Sequence, residues 1–137
     1  MKSFGIAATC VVLSGPLAAE QYGAYYMGID PQDLSNSNGV SLRDLGAVIQ
    51  QDRANFHRFG RPGPHDQGDG FFGNAETRAL IPGLVAAFPR NIQWFGTTVS
   101  RPGNPSDADL LVMICGSGGR LTHIVLDYAN GDGYSDC

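Results

Sequence analysis

Lysine is nearly absent from this chain: Lys2 is its single occurrence in 137 residues. Past that residue eight Arg face thirteen Asp and Glu, a balance of −5. A surface this acidic carries no basic stripe for nucleic acid and no cationic amphipathic helix for anionic lipid. Long apolar runs are missing as well. The run Phe4–Leu13 covers ten residues, whereas a helix crossing a bilayer needs about 20. Cysteine is scarce, with Cys10, Cys115 and Cys137.

The start of the chain has an order of its own. Lys2 precedes the apolar run, Ser14-Gly15-Pro16 breaks it, and Leu17-Ala18-Ala19 follows. These are the n, h and c regions of a secretory signal. The expectation is a signal peptide over residues 1–19, cleavage after Ala19, and one mature globular domain over 20–137. Leu17, large for its place in a cleavage site, leaves the exact bond open. Cys10 is preceded by Ala7-Ala8-Thr9, which lacks the pattern of a lipoprotein signal. A domain of this size buries about two thirds of the surface its unfolded chain exposes, enough for one ordinary core.

An even pair of cysteines in an oxidising compartment predicts a disulfide between Cys115 and Cys137. Geometry constrains it. The strand predicted after Cys115 carries the chain roughly 26 Å away by Tyr128, so the segment from Ala129 to Cys137 must return nearly extended.

Along the mature part, the aromatic segment Glu20–Asp30 gives way to turn chemistry at Asp30-Pro31 and Ser35-Asn36-Ser37-Asn38-Gly39. Ser41 with Asp44 three positions on predicts a helix start. Leu42, Leu45, Val48, Ile49, Phe56 and Phe59 extend the helix to Arg58, with Gly60 closing it. The stretch from Gly60 to Gly70 predicts an ordered loop pinned by Phe71-Phe72. A second helix starts at Asn74, and Pro82 marks a kink or the first turn of a third that ends before Pro89. The period then changes. Ile92–Ser100, Leu110–Cys115 and Leu121–Tyr128 predict three strands, separated by Arg101-Pro102-Gly103-Asn104-Pro105 and Gly116-Ser117-Gly118-Gly119. The expected fold is α+β, with N-terminal helices packed on a C-terminal three-stranded antiparallel meander.

Chemistry concentrates on the first helix. Asp52 falls inside its apolar stripe, with Arg53 and His57 on the border. A carboxylate there must be paired or hydrogen-bonded, because an isolated buried charge costs several kcal/mol. Asp52, Arg53, His57 and His65 are therefore catalytic candidates, and the structural alternative has Asp52 fixing the Gly60–Gly73 loop through its amides or Arg61. His57, His65, Asp66 and Asp69 carry metal-ligand side chains at a spacing that matches no tight motif. His123 on a strand predicts a packed histidine, and Gly116-Ser117-Gly118-Gly119 lacks the frame of a serine nucleophile.

Two segments carry hints of calcium. Asp33–Asp44, DLSNSNGVSLRD, resembles an EF-hand loop, but Ser35, Ser37, Asn38 and Asp44 stand where stronger ligands or Gly belong. Asn130-Gly131-Asp132-Gly133-Tyr134-Ser135-Asp136 resembles the calcium loop of FG-GAP repeats, one position out of register, and a hairpin turn accounts for the same residues. Asp33, Asp44, Asn130, Asp132 and Asp136 are the calcium candidates; no other cofactor is expected.

Finally, Gln51–Gly60, QDRANFHRFG, with the later Asp69–Gly73, DGFFG, resembles a pattern in small uncharacterised exported proteins of proteobacteria. That resemblance implies no activity, only that the helix and the loop form one unit. With no catalytic frame and no cofactor loop, the sequence favours a periplasmic or secreted, non-enzymatic domain. Its partner would be a protein or envelope component, met through Tyr22, Tyr25, Tyr26, Phe71 and Phe72 if these are exposed. The alternatives are a small hydrolase using Asp52 and His57, or a weak calcium-binding domain.

Overall fold

The apolar run after Asp109 becomes the centre of the fold. In the computed structural model, which describes residues 15, 17–96, 109–129 and 136–137, strand β2 (Leu110–Ser117) lies between β1 (Glu20–Met27) and β3 (Arg120–Tyr128). Both pairings are antiparallel, with Val112 opposite Tyr25 on one side and Leu126 on the other. Alternation sends Leu110, Val112 and Ile114 into the main core, while Met113 and Cys115 join Val125 in a second cluster. A central strand buried on both faces needs a continuous apolar sequence, and LLVMIC supplies one. Gly118 and Gly119, at φ +58° and +79°, close the β2–β3 hairpin in the left-handed conformation such a two-residue turn requires.

The fold is α+β with a three-stranded antiparallel sheet, as expected, but the first strand is not the one predicted. It is Glu20–Met27. Ile92–Phe95, predicted as strand, belongs to helix α4 (Pro89–Phe95), and the remainder of that predicted strand lies outside the described residues. Pro89 fits the first helical turn, where its missing N–H costs nothing. The packing reason is Asn91, which is almost fully buried. Its Nδ2 donates to the carbonyls of Ile124 (2.7 Å) and Val85 (2.9 Å), and its Oδ1 accepts from Leu126 N–H (2.9 Å). One carboxamide thus stands in for a neighbouring strand along the open edge of β3. The edge of β1 is covered likewise by the loop after α1, where Gln67 N–H donates to the Tyr26 carbonyl (2.8 Å) and Gln67 Oε1 accepts from Tyr26 N–H (3.3 Å).

Helix α1 runs Leu45–His57, three residues later than predicted, because Asp44 rather than Ser41 is its N-cap and accepts from Ala47 N–H (2.9 Å). Ser41 instead bridges Ser35. At the far end Gly60 (φ +60°) turns the chain so that Arg61 N–H reaches the Asn55 carbonyl (2.8 Å). Asn74 caps α2 (Ala75–Ala79), and Pro82 sits in the first turn of α3 (Ile81–Ala86), both as predicted. Leu45, Val48 and Ile49 pack with Ile81, Leu84 and Val85 over the sheet. A Cβ at Gly46 would lie 2.7 Å from Pro82 Cα, so glycine permits the approach of α1 to α3.

Cys115 and Cys137 form a disulfide, their Cα atoms 5.5 Å apart. Cys137 packs against the Met113–Val125 cluster, so the chain does return to β2. The predicted turn at Asn130-Gly131 falls outside the described residues.

Candidate functional site

Asp52 and Arg53 are adjacent on α1, and both side chains are fully buried. The Arg53 Nε–H donates to Asp52 Oδ2 at 2.6 Å. Its Nη1 donates to the Gln67 carbonyl (2.7 Å) and to Asp69 Oδ2 (3.1 Å). The guanidinium also lies over the Tyr25 ring, 4.1 Å from its centroid, and 4.9 Å from that of Phe56. Asp69 gathers the rest. Its Oδ2 pairs with His57 Nε2 at 2.8 Å, while its Oδ1 accepts from Phe71 N–H (2.8 Å) and Phe72 N–H (2.6 Å). Helix and loop are thus one ionic unit with Arg53 at its centre.

This corrects the expected role of Asp52. It holds the loop only through Arg53, and Arg61, the cation proposed for it, instead lies over the Phe59 ring at 5.4 Å. Arg53, placed on the border of the stripe, is the largest fully buried side chain. Sequence inspection missed this because an arginine one position from an aspartate signals a solvated pair as readily as a buried one. Burial pushes the Asp52 carboxyl well above the usual carboxylate range, against the pull of the Arg53 guanidinium. Burial also raises Asp69, but His57, the amides of Phe72 and Phe71, and Arg53 together hold it below its ordinary value.

The other nominated residues are dispersed. His65 pairs with Asp109 (2.6 Å) at the surface, and Asp66 Oδ1 accepts from Gly28 N–H (3.0 Å). The set His57, His65, Asp66 and Asp69 therefore does not converge. Asp33 is buried, accepting from Asn55 Nδ2 (2.8 Å) and Asp30 N–H (2.8 Å), while Asp44 is the helix cap. The EF-hand-like segment is thus a 3₁₀ turn, Pro31–Leu34, followed by a turn in which Asn36 Oδ1 accepts from the Asn38 and Val40 amides. Asp136 is exposed; Asn130 and Asp132 lie outside the described residues. Among the described residues no three His, Cys, Asp or Glu are grouped to hold a metal ion. His123 stacks on Phe88, with centroids 5.3 Å apart, and burial lowers its pKa. Of the aromatic contact candidates, Tyr25 and Phe72 are core, Tyr22 and Phe71 are half-buried and Tyr26 is exposed.

No protein family, curated protein or solved structure matches this chain. The site must therefore be read from its own chemistry, and the structure offers a second one that the sequence did not reveal. A groove of about 320 Å³ lies between α1 and α2, opened by the small side chains of Ala47, Ala54 and Ala75 and lined by Arg58, Arg78, Gln50, Gln51 and Asn36. These residues come from three segments whose meeting no local pattern announces.

Asp33 sets a pH dependence. Burial raises its carboxyl to about 6, the Asp30 amide and Asn55 pulling against it. The folded state then holds a proton that the unfolded chain releases near its ordinary value of about 3.9. Stability from this group is full below about pH 4 and declines as pH rises to about 6. The melting temperature should be higher at pH 5 than at pH 7, and Asp33→Asn should flatten that slope in a thermal-unfolding series. An unchanged slope would remove Asp33 as its source.

Proposed function

We propose that this chain is an exported, disulfide-stabilised domain that binds an envelope ligand without chemically transforming it. The observation that carries the reading is the employment of its acid–base groups. Asp52, Arg53 and Asp69 bond one another and the loop backbone, and the side chains of Asp52, Arg53 and Asp69 are all but closed to solvent. Groups so placed position a loop and do not meet a substrate. Export is supported by the signal-like order of residues 1–19 and by the Cys115–Cys137 bridge. None of the helices described is long and apolar enough to cross a membrane.

The hydrolase alternative keeps one observation in its favour. His57, its side chain 16% exposed, is oriented by Asp69 at 2.8 Å, the arrangement of a general base. An envelope extract incubated with the mature protein separates the readings. A binding domain retains a component at constant mass, and the rest of the extract stays unchanged. Conversion of any component by the wild type but not by His57→Ala would replace binding with hydrolysis. Intact-mass measurement of the periplasmic material should show a chain beginning at Glu20 or within a residue or two.

A further inference from the structure

We propose that the groove between α1 and α2 binds an anionic saccharide, a sugar carrying a carboxylate or a phosphate. The inference rests on the binding reading above and names the ligand class. Its anchor is Arg78, 6% exposed, whose described hydrogen bond is from Nη1 to the Phe72 carbonyl at 3.0 Å. No carboxylate pairs with it among the described residues. A guanidinium so enclosed has lost much of its hydration and gains from an anion that meets its remaining donors. Arg78 lines the groove, and only its Nη1 is bonded, to the Phe72 carbonyl, among the described hydrogen bonds. Arg58 lines the same groove, its guanidinium steadied over the Phe59 ring at 5.0 Å. No Asp or Glu is in that lining, in a chain whose net charge is −4.

The carboxamides argue for hydroxyl groups beside the anion. Asn36 Oδ1 is held by two backbone amides, which leaves its Nδ2 as the free end, a donor. Gln51 spends its Nε2 on Asn55 Oδ1 (3.0 Å), which leaves Oε1, an acceptor. Gln50 adds a third carboxamide. A lining that offers both a donor and an acceptor suits a sugar's several hydroxyls, which both give and accept. Leu42 is the one large aliphatic residue of the lining, too little apolar surface to anchor a peptide.

Amide NMR titrations of the mature protein with glucuronate, glucose 6-phosphate, glucose and inorganic phosphate test this. Glucuronate or glucose 6-phosphate should shift signals of Gln50, Gln51, Arg58 and the Arg78 side chain, and whichever binds tighter identifies the anion as carboxylate or phosphate. Glucose and phosphate should each bind at least about tenfold more weakly, the loss of one charge-assisted contact. Arg58→Gln and Gln50→Ala, at the groove surface, should weaken the sugar acid or sugar phosphate about tenfold with an unchanged melting temperature. Inorganic phosphate binding as well as either sugar, a polyglutamate peptide competing equally, or no shift at all would overturn the proposal. An envelope component retained while both anionic sugars fail would leave the binding reading standing and this site wrong.

Discussion

Arg53→Met should cost about 3–5 kcal/mol, the usual penalty for removing one partner from a buried ionic pair. The substitution keeps most of the side-chain volume but removes donors to Asp52, the Gln67 carbonyl and Asp69, and the cation above Tyr25. Asp52 is then left buried with no cation to pull its carboxyl down. It must stay protonated for the fold to persist, so the variant should lose further stability as pH rises. Asp52→Ala should cost less, a few kcal/mol, since Arg53 keeps Asp69 and the Gln67 carbonyl. Urea unfolding at pH 5 and pH 7 reads both effects. If Arg53→Met unfolds within about 1 kcal/mol of wild type, the ionic unit is not what holds the loop on α1.

Opening the Cys115–Cys137 bridge should have an effect of comparable size. A loop closed by cysteines 22 residues apart corresponds to about 3 kcal/mol in the chain-entropy account. Cys115 is fully buried beside Met113 and Val125, so replacing it adds a packing penalty of its own. Cys137→Ala with Cys115 retained should therefore be milder than Cys115→Ala. Reduction of the wild-type protein isolates the loop term, since it leaves both sulfurs in place. A melting temperature that is the same with and without reductant would show that the bridge contributes nothing to stability, and two reactive thiols under non-reducing conditions would show that it does not form.

How much of this was legible beforehand differs from element to element. The strands after Asp109 were readable because their neighbour in sequence is their neighbour in space: LLVMIC, a glycine turn and the next run make one hairpin. The helix carrying Asp52 was readable from its 3.6-residue period, displaced at the start because two acceptable caps, Ser41 and Asp44, compete, and Ser41 is taken up by its bridge to Ser35. Glu20–Met27 was not recognised, since its partner β2 lies far along the chain and Gly23 falls where the register shifts. Ile92–Phe95 was misread for the opposite reason: its residues suit a strand, and β-propensity is weak enough for position to override.

The sequence by itself determined the acidic, lysine-poor character, the pairing of the two late cysteines, the α+β class and the presence of a charged residue on an apolar helix face. Each follows from composition or short-range periodicity, which the linear chain contains in full. Tertiary structure alone decided that Arg53 rather than Asp52 holds the loop, that Asn91 and Gln67 cover the edges of the sheet, and that Arg58, Arg78 and the carboxamides share one groove. These depend on which distant residues share a desolvated space, where the absence of competing water gives each hydrogen bond and charge its worth.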